Sequence, residues 1–242
     1  MGGRGSSFIK ERRPRTQEEE QYASFPDEPL DDFDYKEDGS EQVEWFRENS
    51  NVEELIDGMS NGEKRAFSRW AEGMFMWGQQ YDGWDNLGHD EKLYTQTYDD
   101  ILDKSVISKG VSVVRLTTAE IFFGKGHSYA DYDELAALEG QTILSKGNLA
   151  TAAANKGLTV GQHTKEHEIR INIPGGSKGA GMWIGDERVN MRYGARQREF
   201  LMNRDILLKV GKTTWDESRN VLITELTYVG RTPHDYGTSG RI

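Results

Sequence analysis

The amino-acid sequence predicts an α+β protein in which helices come first and strands follow. From about Val43 to Lys104, apolar residues recur at the three- and four-residue spacing of amphipathic helices. After Gly110, short segments rich in β-branched residues take over, with glycine-rich connections at residues 174–185 and 190–196. Helices that are segregated from strands along the chain are typical of the α+β class.

The helical part contains one well-marked helix start. Ser60 can cap a helix with its hydroxyl, and Glu63 stands three residues later, which is the spacing of a capping box. Behind this start, large apolar residues at helical spacing predict one buried stripe. The stripe consists of Phe67, Trp70, Met74 and Trp77.

Shorter helices are expected on both sides of this one. Amphipathic pieces around Glu44–Phe46 and Val52–Ile56 precede it. A further helix, which we expect to end at Lys109–Gly110, follows it. That helix carries Tyr94, Tyr98, Ile101 and Leu102.

Four segments of the second half predict strands. Val111–Thr118 is short and β-branched, and Glu168–Pro174 alternates strictly between polar and apolar residues. Two further strands, Ile206–Val210 and Asn220–Val229, are expected to be joined by a turn-like segment at residues 212–219.

Composition excludes several classes of function. The 242 residues include 41 acidic and 30 basic ones, and the net charge of −11 opposes a nucleic-acid surface over the whole molecule. The sequence contains no run of about 18 apolar residues, which is the length needed to cross a membrane. The first residues lack the apolar core of a secretory signal. Because there is no cysteine, disulfides, thiolate nucleophiles and cysteine-ligated zinc are excluded. We therefore expect a soluble, acidic protein in a reducing cytoplasm.

Residues 1–50 are predicted to form a charged arm, and residues 51–242 the folded domain. The arm has dense charge and few aliphatic residues, so it cannot bury enough apolar surface to offset the entropy lost on ordering. It is therefore either a solvated tail or a segment that docks on a partner through aromatic anchors. The anchors would be Phe25, Phe33, Tyr35 and Trp45.

Two segments imitate ligand-binding motifs without meeting their requirements. His163 and His167 are four residues apart, but they run into an alternating strand and do not form a His-Glu-x-x-His motif, so no metal is expected. Pro174–Gly181 resembles a phosphate-binding loop, but its lysine precedes a glycine and a strand is expected after it. Gly124–Gly126 is too short to indicate a site.

An arginine and a glutamine–glutamate pair are the candidates for chemistry. Arg115 lies in an otherwise apolar strand, where a guanidinium is costly unless it meets an anion or a carboxylate. An edge strand or an internal salt bridge would also explain it. Gln197 and Glu199 are two residues apart, so in an extended segment they would face the same cleft.

Three short motifs, in this order, resemble those of the mono-ADP-ribosyltransferases of the bacterial exotoxin and phage type. That family has an arginine on an early strand, a Ser-Thr-Ser-like strand, and a Gln/Glu-x-Glu pair before a strand. The matching segments are Val114–Leu116, Leu149–Ala152 and Gln197–Glu199. The resemblance covers about residues 55–230 and implies an N-terminal helical lobe followed by two small packed antiparallel sheets that form an NAD cleft.

The resemblance implies an enzyme that transfers ADP-ribose from NAD to a macromolecule and releases nicotinamide. Glu199 would stabilise the positive charge that develops on the ribose, and Gln197 would face the acceptor. Arg115 would bind a phosphate of NAD. The expected NAD-binding residues are Arg115, Leu116, Ala150 and Thr151.

Two positions bear on the acceptor and on activity. In this family a glutamine at the position of Gln197 goes with asparagine or other acceptors rather than arginine, and the expected acceptor is a host protein, with nucleic acid and small molecules left open. The family's first serine, which braces the catalytic glutamate, is replaced by Ala150, and the third position is Ala152. Ser145 is the alternative counterpart of that serine.

The first seven residues resemble the start of phage- and prophage-encoded head-associated proteins. This implies a protein made in, or delivered into, the cytoplasm of a host bacterium, whose arm could contact virion or portal proteins. Two alternatives stay open. One is a virion structural protein that has this fold without turnover, and the other is an unrelated binding module in which Arg115 and Glu199 form an ordinary ion pair.

Overall fold

The longer described helices lie between residues 40 and 102, as the sequence predicts, and two short helices lie among the strands. The computed structural model describes residues 39–71, 83–124, 126–127, 129–154, 167–192, 194 and 198–241. The helices are α1 (Ser40–Asn49), α2 (Val52–Gly58), α3 (Asn61–Ala71), α4 (His89–Leu102), α5 (Glu120–Phe123) and α6 (Tyr132–Ala136), with a 3-10 turn at Trp84–Asn86. None of the helices in these ranges combines the length and the apolar character that crossing a bilayer requires.

Ten strands follow or interleave with the shorter helices. They are β1 (Val106–Ile107), β2 (Val111–Thr117), β3 (Thr142–Ser145), β4 (Leu149–Ala152), β5 (His167–Ile173), β6 (Ser177–Lys178), β7 (Gly181–Trp183), β8 (Glu199–Met202), β9 (Ile206–Asp216) and β10 (Val221–Arg231). Eight of them form one sheet in the order β3-β9-β10-β5-β2-β4-β8-β7, and β1 pairs with β6 separately.

The eight-stranded sheet consists of two halves that meet at one residue pair. Between β2 and β4 the ladder contains the single pair Val114 and Ala152. Five strands lie on one side of this junction and three on the other. The predicted α+β class is confirmed, but the sheets are not antiparallel throughout, because β10 runs parallel to β5. The long crossover through β6–β9 makes that parallel pairing possible.

Two predicted boundaries are wrong. Helix α4 ends at Leu102, well before Lys109–Gly110, because Val106–Ile107 leaves the helix axis to pair with Ser177–Lys178. The hairpin of β9 and β10 is longer than predicted, since residues 213–216 continue the ladder instead of turning.

The predicted start of α3 is confirmed. The amide of Glu63 donates to Ser60 Oγ at 3.2 Å, and the amide of Ser60 donates to Glu63 Oε2 at 2.6 Å. Two amides that the helix leaves without intrahelical acceptors are thereby satisfied. Phe67 and Trp70 are buried on this helix as expected, whereas Met74 and Trp77 lie outside the described residues.

Helix α1 covers the three-stranded half of the sheet. Phe46 stacks on Trp183 at 5.1 Å and on Phe200 at 5.5 Å, and Gln42 Nε2 donates to the carbonyl of Ala153 at 3.0 Å. Residues 40–49, which the sequence assigned to the charged arm, are thus a core helix, because one buried aromatic face outweighs their polar composition. Of the proposed anchors, Trp45 packs against the core, and the other three lie outside the described residues.

A buried ionic cluster holds the last described segment against α4 and β9. Arg204 Nε and Nη2 each donate to Asp99 at 2.9 Å, and its Nη1 donates to Asp205 at 2.9 Å. The ring of His234 lies between Asp103, at 2.9 Å, and Asp205, at 3.1 Å. Burial acts to lower the pKa of His234, but the hydrogen bonds and charges of these aspartates outweigh it and raise that pKa to about 9.

The raised pKa makes the contribution of His234 to stability depend on pH. That contribution is fully present below pH 6.5 and is lost as the pH rises through about 9, because the folded state holds the proton more tightly than the unfolded one. We expect His234→Gln to lower the free energy of unfolding by on the order of 1–2 kcal/mol at pH 6 and by much less at pH 10.

Urea unfolding at both pH values measures this difference. The exposed His89 provides the matched control, and His89→Gln should have little effect at either pH. A loss in His234→Gln that is equal at pH 6 and pH 10 would contradict the assignment.

Candidate active site

Three adjacent strands bring the two candidate charged residues together. Strand β4 lies between β2, which carries Arg115, and β8, which begins with Glu199. Arg115 Nη1 donates to the carbonyl of Ala150 at 2.9 Å, and Glu199 stands opposite Ala152 in the β4–β8 ladder. Arg115 and Glu199 therefore flank the same four-residue strand.

Arg115 lies in the interior of the sheet. Strand β2 has β5 on one side and β4 on the other, so the interpretation of Arg115 as an edge residue is wrong. Within β2, residues 111–114 are buried, whereas Arg115 and Leu116 are partly exposed. Arg115 and Leu116 are thus the two partly exposed residues of the strand, and Thr117 after them is buried again.

The carboxyl group of Glu199 lies between the sheet and helix α3 of the N-terminal helical lobe (α1–α4). Its residue is 9% exposed. Trp70 Nε1 donates to Glu199 Oε1 at 2.8 Å, and the amide of Ile184 on the other neighbouring segment donates to the carbonyl of Glu199 at 3.0 Å. These contacts fix both the backbone and the side chain of Glu199.

The groups around Glu199 raise the pKa of its carboxyl group to a value near neutrality. Burial raises the pKa of Glu199, and the Trp70 hydrogen bond and the charge of Arg115 act to lower it, with a net value of about 7. The influence of Arg115 shows that its charge reaches this carboxyl. Strongly shifted carboxyl groups that face a specific charge partner are typical of functional sites.

The other predicted NAD-binding residues lie on β2 and β4. Leu116 and Ala150 are partly exposed beside Arg115. Thr151 is buried, and its Oγ1 donates to the carbonyl of Phe200 at 2.7 Å, which joins β4 to β8. Ser145, the alternative counterpart of the family's serine, lies on β3 at the far edge of the sheet and donates to the carbonyl of Gly147.

The residue before β8 departs from extended geometry. Arg198 has a φ of 49°, in the left-handed region, so the chain turns at the residue immediately before Glu199. Gln197 itself lies outside the described residues, and its role stays a prediction.

Trp70 is the site residue that sequence reasoning missed. The helical periodicity assigned it to the buried stripe, and its ring is 3% exposed. Its indole N–H, however, meets a carboxyl 129 positions later in the chain. The residue type is the only signal in the sequence, because tryptophan differs from the other residues of an apolar stripe in carrying an N–H that needs a partner.

Comparison with known proteins identifies the fold. No protein-family model and no curated protein sequence matches the chain. Among solved structures, C3stau2 from S. aureus with NAD superposes with a TM-score of 0.67 at 15% identity, over 84% of this chain and 99% of that one. Plx2a, an ADP-ribosyltransferase toxin from Paenibacillus larvae, gives 0.63 at 19% identity, over 81% and 98%. The chain has the fold of the ADP-ribosyltransferase exotoxins.

A third similar structure shows the same fold within a longer chain. BECa, an ADP-ribosylating toxin of a binary enterotoxin of C. perfringens with NADH, superposes with a TM-score of 0.64 at 18% identity. The match covers 81% of this chain and 50% of that one. The exotoxin-type fold that the order of the motifs predicted is thus confirmed.

The described parts of the two segments that imitate ligand-binding motifs contribute to the packing and pairing of strands, and His163 lies outside the described residues. His167 is buried on β5, with its Nε2 3.0 Å from Thr224 Oγ1, and burial lowers its pKa to about 4. Within the described ranges no three side chains of the metal-ligating types are grouped to hold an ion. Ser177–Lys178, from the segment that resembles a phosphate loop, pairs with β1.

Burial of the Glu199 carboxyl should cost the fold stability at alkaline pH. Because its pKa is raised from 4.5 to about 7, the folded state binds more protons than the unfolded state between these values, and stability falls as the pH rises through that window. We expect Glu199→Gln to be more stable than the wild type by on the order of 1–3 kcal/mol at pH 8, with a smaller difference at pH 4.5.

Urea unfolding of both proteins at the two pH values measures the effect. Glu225→Gln, which makes the same change at an exposed residue of β10, serves as the control. An equal difference between wild type and Glu199→Gln at pH 4.5 and pH 8 would show that ionisation of Glu199 is not its source.

Proposed function

We propose that the protein is an NAD-dependent mono-ADP-ribosyltransferase. The observation that carries this proposal is the placement of Arg115 and Glu199 on either side of β4. They occupy this position in a fold of the ADP-ribosyltransferase exotoxins. A guanidinium for a phosphate and a buried carboxylate for a developing positive charge are the two groups that cleavage of NAD needs.

Glu199 acts on the ribose in this mechanism. As the bond between the ribose and nicotinamide breaks, nicotinamide leaves with the bonding electrons, and positive charge accumulates on the ribose. The carboxylate of Glu199 stabilises that charge from a fixed position and accepts a hydrogen bond from a ribose hydroxyl. A nucleophile of the acceptor then bonds to the ribose carbon and releases its proton, which yields the ADP-ribosylated acceptor.

Arg115 binds the dinucleotide by a phosphate. Its guanidinium is oriented in advance because Nη1 is held on the carbonyl of Ala150, and a planar guanidinium matches the oxygens of a phosphate. The partly exposed Leu116 and Ala150 line the adjacent surface. Thr151 supports this arrangement by joining the two strands of the site.

The acceptor we propose is a host macromolecule, and more specifically a protein modified at asparagine or another residue than arginine. This part rests on Gln197 and on the family resemblance of the Gln-x-Glu segment. The resemblance of the first residues to phage head-associated proteins supports a phage or prophage origin, action in the cytoplasm of a bacterial host, and contacts of the N-terminal arm with virion or portal proteins.

Replacement of Glu199 tests the proposed reaction. We expect the wild type to transfer labelled ADP-ribose from NAD to components of a bacterial lysate, or to hydrolyse NAD slowly without them. Glu199→Gln should reduce kcat by about 100-fold or more, because the charge that stabilises the ribose is removed. Mass spectrometry of the modified lysate proteins then identifies the acceptor residue.

Glu225→Gln is the matched control and should retain wild-type kcat. Equal rates in the wild type and Glu199→Gln would refute the proposed reaction. NAD binding without any turnover would favour the alternative of a structural protein with an inactive fold, to which the alanines at positions 150 and 152 lend support.

Replacement of Arg115 tests NAD binding separately. We expect Arg115→Lys to weaken NAD binding by about tenfold, because lysine keeps the charge but loses the planar two-point contact with phosphate. Isothermal titration calorimetry measures the Kd. Arg241→Lys, in which the exposed arginine that pairs with Asp100 is changed, is the control, and an unchanged Kd in Arg115→Lys would contradict the assignment.

A further inference from the structure

The carboxyl group of Glu199 is oriented from the helical lobe. On β4, the residue directly opposite Glu199 is Ala152, whose side chain carries no hydrogen-bond donor. Within the part of the chain that the structure describes, the side chain that donates to this carboxyl is Trp70 on α3, at 2.8 Å from Oε1. Strand β8 thus fixes the position of the Glu199 backbone, and helix α3 orients its carboxyl group through Trp70.

Trp70 is itself held in a defined position. Its ring meets that of Tyr98 edge to face, at 5.6 Å and 83°. Tyr98 also packs against Phe67 at 5.2 Å and donates its hydroxyl to the carbonyl of Ala66 at 2.8 Å. Because Ala66, Phe67 and Trp70 all belong to α3, Tyr98 of α4 fixes the face of α3 from which the indole reaches Glu199.

We propose that Trp70 is the positioning residue for Glu199, and that its indole N–H holds the carboxylate in the orientation that cleavage of NAD requires. This inference rests on the proposed function. Indole is a donor without an acceptor site, so it interacts more strongly with the ionised carboxylate than with the neutral acid. Trp70 therefore supplies the restraint that a hydroxyl opposite Glu199 would otherwise provide, and it couples the helical lobe to the reacting group.

The variant Trp70→Phe separates the hydrogen bond from the packing. Phenylalanine keeps an aromatic ring against Tyr98 but has no N–H. We expect kcat for NAD cleavage to fall by about 10- to 100-fold, which is the effect of losing one hydrogen bond to a charged group. The KM for NAD should stay within about twofold, because Arg115 and its strand are unchanged.

The pH profile provides a readout that a purely structural role of Trp70 would not move. Of the described residues, those that influence Glu199 electrostatically are Trp70, Arg115 and Tyr98. Since the Trp70 hydrogen bond lowers the pKa of Glu199, its loss should shift the rising limb of kcat against pH to higher pH.

A second-site change tests rescue. Ala152→Ser puts a hydroxyl opposite Glu199 in the ladder, where cross-strand side chains are about 5 Å apart. We expect the double variant Trp70→Phe, Ala152→Ser to have a kcat at least tenfold higher than that of Trp70→Phe alone. Trp84→Phe is the matched control, because Trp84 is also buried and its indole donates elsewhere, to Ser239 Oγ and the carbonyl of Gly240. Its kcat should stay within about twofold of the wild type.

The outcomes separate this inference from the proposed function. A wild type without Glu199-dependent turnover of NAD refutes the proposed function itself. With an active wild type, unchanged kcat and pH profile in Trp70→Phe overturn the role of Trp70. A loss of kcat that Ala152→Ser does not restore, without a shift of the pH profile, also overturns it, because it assigns the loss to packing alone.

Discussion

The role proposed for Glu199 requires a carboxylate that is kept away from water and yet remains ionised, and these two needs oppose each other. At Glu199 the fold satisfies both by pairing burial with two compensating groups. The helical lobe excludes water, while the Trp70 N–H and the charge of Arg115 favour the ionised form. The remaining features of the site can be understood as means of holding these three groups in place.

Strand β4 is the frame on which this arrangement depends. One backbone group and one side chain of β4 make the contacts. The carbonyl of Ala150 accepts from Arg115, and the hydroxyl of Thr151 donates to β8. Ala152 of this strand forms the single residue pair, with Val114 of β2, that joins the two halves of the sheet. Small residues at 152–154 are buried beneath the helical lobe, where Gln42 reaches the backbone of Ala153. The short strand β4 thus holds β2, which carries Arg115, next to β8, which carries Glu199.

Two buried glutamates differ in how the groups around them compensate the charge of the carboxylate. Glu168 on β5 is fully buried and receives two hydrogen bonds from Arg219, at 2.8 and 3.2 Å. A paired ion of this kind is neutralised in place and serves the fold. Glu199 instead receives an uncharged indole donor, and its pKa of about 7 shows that its charge is only partly compensated. Incomplete compensation is consistent with the role proposed for Glu199, which is to stabilise a developing positive charge.

Local signals in the sequence were sufficient for the fold class, the start of α3 and the strand that carries Arg115, whereas the strand that begins at Glu199 was not predicted. The capping box and the alternation within β5 act over a few residues, so they can be recognised without knowledge of the fold. The ends of α4 and β9 were misjudged because pairing with distant strands decided them. The burial of Phe46 within the predicted arm was missed because its aromatic partners come from β7 and β8.

By itself, therefore, the amino-acid sequence determined which residue types are present, in which order and on which elements, and the order of Arg115, Leu149–Ala152 and Glu199 was enough to indicate the exotoxin-type fold. Only the tertiary structure decided that β4 separates the two charged residues and that Trp70 supplies the donor for Glu199. The physical reason is that the pKa and orientation of a buried carboxyl depend on groups that the fold brings to it in space. One of those groups lies 129 positions away along the chain.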